Sequence, residues 1–545
     1  MIPEGPLDRL LDVVAPNAIL NAGGRGDEVR CYPGTREEVI GKIEKWMGSK
    51  GLRGSRVMWL SGPAGAGKSA ICQSVAERFR HRGQHVANFF FFRGDGTRNH
   101  AEPLVATLVY QLRRFYPALN ELLTDCLTEL PLICNACIED QFRYLISFPV
   151  QRIQQSSSIQ QQVILILDGL DECDDKNKQE QILVALHAIT DADNSPFLAL
   201  VASRAEPHLV MAFNRIGYSG ESIFLDEQYR PEDDIRRFVI AKFDEIKNNH
   251  HLAQTLSKNW PAKSDIEAIT SKSSGQFIYA ATVMRFIQYS PESPYLSLIA
   301  IHEMQPSVSH NPLAQLDAVY SYIFSKARDI RTIKLTIGAN LISQMTETGP
   351  LIKLDNILQL AGYMKIAVQS LCADLVAIIK IDQTGWSMRI FFYHASLSDY
   401  LADKSRSGIY HVDTGEIAAE LSSICLGIFQ DSGSLNLTIE LLTYVKEATE
   451  ALSKSLLNAS TRQFDKSFRG LAYWNMLICA IDQLYLKTNK TLFKSMLQSW
   501  VRFAYLHNVD MSEDLRLRKL STSASAYYKR YRATERVKFA LRLNK

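Results

Sequence analysis

Residues 57–80 read "VMWLSGPAGAGKSAICQSVAERFR". A short apolar run, Val57 to Leu60, enters a glycine- and alanine-rich turn. A stretch with Ile71, Val75 and Phe79 on one face follows. The spacing predicts strand, loop and helix in that order. Gly62, Pro63, Ala64, Gly65, Ala66, Gly67, Lys68 and Ser69 fit G-x-x-x-x-G-K-[ST], with Ala70 just behind them. A phosphate cradle needs this spacing. The glycines let the main chain bend tightly with its N–H groups inward, and the helix aims its positive end at the anion. Lys68 supplies a mobile ammonium for β- and γ-phosphates, and Ser69 a hydroxyl for Mg²⁺.

A second stretch, "VILILDGLDECDD" at 163–175, ends an apolar run in Asp168, Asp171, Glu172, Asp174 and Asp175. Beside a phosphate loop, the acid at the strand's carboxyl end is the one that serves Mg²⁺, which favours one or two carboxylates plus substrate oxygens. That is Asp168. Asp171 and Glu172 fall near the γ-phosphate, and Asp174 and Asp175 read as solvated turn residues. Many P-loop ATPases place glutamate directly after the strand acid, but here Gly169 stands there. A base therefore comes from Asp171 or Glu172, one turn displaced, and hydrolysis is expected to be slow. Arg204 in "VASRAEP" follows the next apolar strand, where a guanidinium can report a γ-phosphate. Guanine chemistry is disfavoured, because the nearest approach to N-K-x-D is "NKQE" at 177–180, on the wrong side of the sheet.

Outward from these motifs, "HVANFFFF" (85–92), "FLALVAS" (197–203) and "SIFL" (222–225) read as further strands, with helical segments at 103–148 and 177–189. Strands alternating with helices imply an α/β domain with a parallel sheet covered by helices. After about residue 229 the pattern is mostly helical, interrupted by a β-like pair at 374–381 and 387–394. Residues 1–35 are weakly patterned, and "QQSSSIQQQ" (154–162) reads as a polar loop.

The 545 residues imply three or four packed units at roughly 100–200 residues each. Formal net charge is only +3, which gives no global field for nucleic acid or membrane. From Glu513 onward ten Lys/Arg face three acids, so the end of the chain is basic; we read it as a solvated terminus. No apolar run is long enough for a membrane span, and the first residues lack the pattern of a secretory signal. The nine cysteines are scattered. The close pair Cys134/Cys137 has no second pair to make a zinc site and reads as one face of a helix, and reduced thiols fit a cytoplasmic protein.

In order, "CYPGTREEVIGKIEKWM", "LSGPAGAGKSAICQSVAE", "NFFFFRGD", "VILILDGLDECDD", "SRAEPHL", "SSGQFIYAATVMRFI", "PLAQLDAVYSYI" and "FYHASLSDYL" resemble the NACHT NTPases of the STAND class. They are most similar to the set from mushroom-forming fungi with a nephrocystin-like N-terminal module. The resemblance spans roughly residues 25–430. It implies a lead-in and adenine-side helix at 1–55, a P-loop NTPase domain at 56–228, a helical domain at 229–312, a winged helix at 313–404, and a second helical domain with the basic tail at 405–545. It further implies an ATP/ADP switch with Mg²⁺ that self-associates in the ATP state, with unknown protein partners; nucleic acid is not an expected partner. In fungi this class implies non-self recognition or cell death. Gly62 to Ser69 would hold phosphates, with Asp168 and Ser69 on Mg²⁺. Asp171 and Glu172 would be the distal acids and Arg204 the sensor. Thr35 and Arg36 would lie over the adenine, and His394 would hold the ADP β-phosphate. Ala395 departs from the aspartate many relatives carry after that histidine. The usual WD40, ankyrin or tetratricopeptide arrays are not recognisable. Two other readings share these motifs: a sustained-turnover ATPase acting on nucleic acid or protein, and a scaffold that binds nucleotide for stability.

Overall fold

The computed structural model describes residues 5–21, 30–48, 56–156, 162–192, 194–216, 222–306, 311–345, 353–382, 388–462, 473–507, 509 and 522–543. The centre of the polar run, 157–161, and residues 513–521 and 544–545 of the basic tail lie outside the described residues.

Five strands, β1 (Val57–Ser61), β2 (His85–Phe90), β3 (Val163–Asp168), β4 (Phe197–Ser203) and β5 (Ser222–Phe224), form one sheet in the order β2-β3-β4-β1-β5. Every neighbouring pair is parallel. β1, β3 and β4 are buried along their whole length. On β3, Val163, Leu165 and Leu167 join one apolar cluster while Ile164 and Ile166 join another. The two-residue pleat thus feeds two cores, one per face, which is why the strand reads as an unbroken apolar run.

The order of the strands positions the site. β4 lies between β1 and β3, pairing Ser61 with Ser203 and Asp168 with Ala202. The loop after β1, Arg204 after β4, and Asp168 at the end of β3 therefore stand side by side at the strands' carboxyl ends, where open α/β sheets bind ligands.

The chain divides into two compact units. The first comprises Met1–Ile323 with Val376–Ile379 and Phe391–Asp399, and holds the sheet and the helices Pro231–Asn249, Lys263–Lys272, Phe277–Tyr289 and Pro294–Glu303. The second comprises Phe324–Leu375, Lys380–Ile390 and Tyr400–Lys545, with helices from Ile330–Gln344 through Thr522–Leu543. Two short strands, β6 (Ile379–Asp382) and β7 (Arg389–Phe392), pair with each other.

Several local expectations are corrected. The first β-like run becomes strand only at Ile379, because Ala373–Leu375 forms a 3₁₀ turn. Residues 103–148 are broken into several helical pieces by a turn around Pro117 and by the 3₁₀ turn Ile133–Asn135. Cys134 lies in that 3₁₀ turn and Cys137 caps the next helix, Ile138–Phe142, so the pair does not share one helix face. The polar run at 154–162 begins inside the helix Phe148–Ser156. The first residues contain a helix, Pro6–Asp12, nailed down by the fully buried Leu10. The described part of the basic tail is the helix Thr522–Leu543 rather than a solvated terminus, since Tyr528 and Glu535 are buried. Among the described residues no helix is long and apolar enough to cross a membrane.

Candidate functional site

A cavity of about 580 Å³ in the first unit opens over the loop after β1. Ala64, Gly65, Gly67, Lys68, Ser69 and Ala70 form its floor. Gly62 and Pro63 line the neighbouring cleft, and Ala66 is buried beneath. Gly65 adopts φ +77°, and a Cβ built on it would fall inside the Ile278 side chain, so only glycine fits this bend. The helix Lys68–His81 starts directly after the loop and points its amino end into the cavity floor. Lys68 Nζ donates to Gly62 O at 2.8 Å and Pro63 O at 3.0 Å, folded onto its own loop. Burial pulls its pKa below the usual lysine value, with the charge of Asp171 pulling the other way.

The acidic side of the cavity carries Asp168, Asp171 and Glu172. Asp168 ends β3 with 3 % exposure. Gly169 follows at φ +71°, a left-handed turn that carries the chain away from the strand. That geometry disfavours a glutamate at position 169 and delivers the next acids one turn later. Asp171 Oδ1 accepts the Arg204 N–H at 2.9 Å, and its Oδ2 lies 3.2 Å from Arg204 Nε. Glu172 differs: its Oε2 accepts the Arg93 N–H at 3.0 Å, and its carboxyl is pushed up to about 7 by burial and by the charge of Asp171. Of the two acids, Asp171 is committed to an arginine and Glu172 is poised near neutrality.

Arg204 leaves the tip of β4 into the same cavity. Burial opposes its charge, but Asp399 and Asp171 more than offset this and hold its pKa above the usual value. His394 enters from a distant part of the chain, just after β7. Its Nδ1 accepts from the Ser396 N–H at 3.0 Å and lies 2.8 Å from Ser396 Oγ. This fixes the tautomer, leaving the proton on Nε2. Burial, then the charges of Arg204 and Lys68, push its pKa down to about 3, so the ring is a neutral N–H donor.

The other end of the cavity is aromatic. Tyr32 meets Phe238 edge-on at 5.8 Å, and Phe238 stands 6.5 Å from Phe277. Thr35 and Arg36 are both buried in this wall. The Arg36 guanidinium lies 4.9 Å over the Phe277 ring and donates to Ala66 O at 2.8 Å, while its main-chain N–H donates to Asp234. Its Nε and Nη1 are buried with no acceptor among the described residues. A flat heteroaromatic base offers both a face for these rings and acceptors for such donors. At the opposite end Ser69 and Asp168 both line the cavity, a hydroxyl and a carboxylate of the hard-oxygen type that Mg²⁺ takes beside phosphate oxygens. Among the described residues no group of three or more His, Cys, Asp or Glu assembles a metal site of its own.

The cavity thus brings together the loop, Asp168, Asp171, Glu172, Arg204, Thr35, Arg36 and His394. Sequence reading missed Arg93, Arg285 and Asp399. Arg93 and Asp399 stand inside quoted motifs, "NFFFFRGD" and "FYHASLSDYL", yet nothing local marks them as partners. Arg285 lies 4.3 Å over the ring of Tyr393, next to His394.

The sequence profile of the family described as "Nephrocystin 3, N-terminal" matches residues 34–204, which includes the loop, the acids and Arg204 but not His394. No curated protein matches the chain. Among solved structures, a chain of Drosophila ORC bound to DNA is similar at 12% identity, covering 73% of this chain and 92% of that one, with a TM-score of 0.31. The Walker-type ATPase paby2304 of Pyrococcus abyssi is similar at 13% identity, covering 66% of this chain and 94% of that one, with a TM-score of 0.33. C. elegans PCH-2 is similar at 14% identity, covering 56% and 75%, with a TM-score of 0.30. Likeness this distant carries no substrate or partner across.

Proposed function

We propose that the chain is an ATP/ADP-dependent signalling switch of the NACHT/STAND type, with slow hydrolysis coupled to opening and self-association. The observation that carries this reading is a single one: His394, far along the chain, faces the same cavity as Lys68 and Arg204. A ligand shifts a conformational equilibrium only by its differential affinity for two states. A neutral Nε2–H reaching a β-phosphate from beyond the NTPase domain is such a differential contact, made in the closed form and lost on opening.

The residues divide the work. The main-chain N–H groups from Gly62 to Ser69 hold phosphates, and Lys68 leaves the Gly62 and Pro63 carbonyls to meet them. Ser69 and Asp168 would hold Mg²⁺, which supplies charge neutralisation when bound. Glu172 takes the proton of an attacking water, and Arg204 senses the γ-phosphate. Tyr32, Thr35, Arg36 and Phe277 receive the base. The helices Pro231–Asn249 to Pro294–Glu303 fit a helical domain at 229–312, β6 and β7 with the helix Ala395–Ala402 fit a winged helix at 313–404, and a second helical domain follows. A cytoplasmic place fits the nine free cysteines.

Two measurements test this: the nucleotide that co-purifies with the protein, and its native mass by light scattering with ADP and with ATP. ADP in the purified protein and a larger mass with ATP are expected, and Lys68→Ala is expected to abolish both. Rapid turnover at constant mass would instead favour a working ATPase. Tight ATP binding by Lys68→Ala would refute the phosphate-loop reading.

A further inference from the structure

Arg204 is already engaged. Its Nη2 lies 3.0 Å from Asp399 Oδ2, and Asp399 Oδ1 lies 3.1 Å from Arg93 Nη1. Asp399 sits on the helix Ala395–Ala402, five positions beyond His394, with its side chain 17% exposed. Arg93 is in turn anchored to the acidic loop: its Nη2 donates to Asp171 O at 3.1 Å and its main-chain N–H to Glu172. One carboxylate therefore satisfies two guanidiniums at the rim of the phosphate end.

A γ-phosphate makes the same demand on Arg204 as Asp399 does. Both are anions that present paired oxygens to a planar fork of donors. Arg204 Nε is held by Asp171, so Nη2 is the edge in contention. Bringing a phosphate to that edge while Asp399 stays would set two anions against each other in a half-buried place, where screening is weak. A diphosphate would make no such demand, because in the proposed site its terminal phosphate would be held by the loop with Lys68 and by His394, which line the same cavity.

We infer that Asp399 sets the preference for nucleoside diphosphate over triphosphate, by competing with the γ-phosphate for Arg204. This rests on the proposed nucleotide site and extends it. His394 accounts for what holds the diphosphate; Asp399 accounts for what the triphosphate must displace. Arg93 acts in the opposite sense: it shares the charge of Asp399 and weakens its hold on Arg204.

The test is equilibrium titration of the full chain with Mg²⁺-ADP and Mg²⁺-ATP against a fluorescent nucleotide. Asp399→Asn is expected to raise the ATP affinity relative to ADP by about ten-fold, the size of one charge-assisted hydrogen bond exchanged. Arg93→Gln is expected to move the same ratio the other way, by a few-fold. A purely structural role for Asp399 lowers both affinities together and leaves the ratio unmoved, and that result overturns the inference. So does a shift in the same direction for both variants. The site and the competition fail separately. Binding that Lys68→Ala abolishes, with a ratio insensitive to Asp399→Asn and Arg93→Gln, overturns the competition alone. A wild-type chain that binds neither nucleotide overturns both.

Discussion

Asp171 grips Arg204 at two points, accepting its main-chain N–H on Oδ1 at 2.9 Å and facing its Nε from Oδ2 at 3.2 Å. The carboxylate is 4 % exposed and fastens the end of β4 to the acidic loop after β3. Removing it takes one of two carboxylates from a half-buried guanidinium and the acceptor from a main-chain donor together. Asp171→Ala is expected to cost about 3–5 kcal/mol, the usual penalty for breaking a buried pair by deleting one partner. Thermal unfolding checks this. Glu172→Gln keeps the hydrogen-bond acceptor for Arg93 and carries no charge to bury, so it is expected not to lower the unfolding midpoint, and to raise it above about pH 7, while lowering hydrolysis by about 10²-fold or more. Equal loss of stability in the two variants would contradict the division of roles between these neighbouring acids.

The Glu172 carboxyl gives that division a pH signature. Its folded pKa is raised from 4.5 to about 7 by burial and by the charge of Asp171. The sign follows from proton binding. Below pH 4.5 both folded and unfolded forms are protonated, and the group contributes nothing. As pH rises from 4.5 to about 7, the unfolded form ionises first, and stability falls. Above about 7 the penalty is complete and constant. A base must be ionised to take a proton, so hydrolysis is expected to rise through pH 7 and level off. In Glu172→Gln both the falling stability limb and the rising rate limb should flatten. A pH series of melting curves and phosphate-release rates reads the two together.

His394 makes a contrasting expectation. With its pKa pushed down to about 3, it stays neutral through the whole physiological range. Release of a fluorescent ADP should therefore show no histidine titration between roughly pH 5.5 and 8. His394→Ala is expected to speed that release by about ten-fold or more, the worth of a hydrogen bond to a charged group. Ser396→Ala should act in the same direction but more weakly, because the Ser396 N–H still fixes the ring through Nδ1. Stopped-flow release rates for the two variants are the check, and unchanged release in His394→Ala would remove it from the phosphate site.

How far the molecule was legible depends on the distance over which each feature is encoded. The phosphate loop is a local object: strand, Gly65 bend and helix lie within a few turns of chain, and the pattern spells them out. The parallel sheet follows from apolar runs spaced by helices. The aromatic end of the cavity is assembled from Tyr32, Phe238 and Phe277, three segments whose aromatics look like ordinary core in one dimension. Arg93 and Asp399 are 306 positions apart, and no periodicity links them. The choice between Asp171 and Glu172 was open because it depends on where Arg204 points, which is tertiary information. In the tail, frequent Lys and Arg mask the seven-residue interval between the buried Tyr528 and Glu535.

That tail yields the last expectation. The Trp474 Nε1–H donates to Tyr528 Oη at 3.1 Å, and both side chains are buried. Tyr505 Oη donates to Arg532 O at 3.0 Å one turn further on. The helix Thr522–Leu543 is thus fastened to the helices Trp474–Tyr485 and Lys490–Leu506 inside the second unit, with Lys529, Arg530, Arg536 and Lys538 on its outer side. Tyr528→Phe leaves the buried indole N–H without its acceptor and is expected to cost about 1–3 kcal/mol. Tyr528→Ala adds a cavity and is expected to cost about 3–5 kcal/mol. Lys529→Ala and Arg536→Ala, on the solvent side, are expected to stay within about 0.5 kcal/mol of the parent. Limited proteolysis followed by mass spectrometry separates the cases. In the parent the helix should resist trypsin despite its many basic sites, and in Tyr528→Ala it should be the first segment cut. Cleavage of the parent there at the rate of an unstructured peptide would mean that the Trp474–Tyr528 contact does not hold the helix in solution.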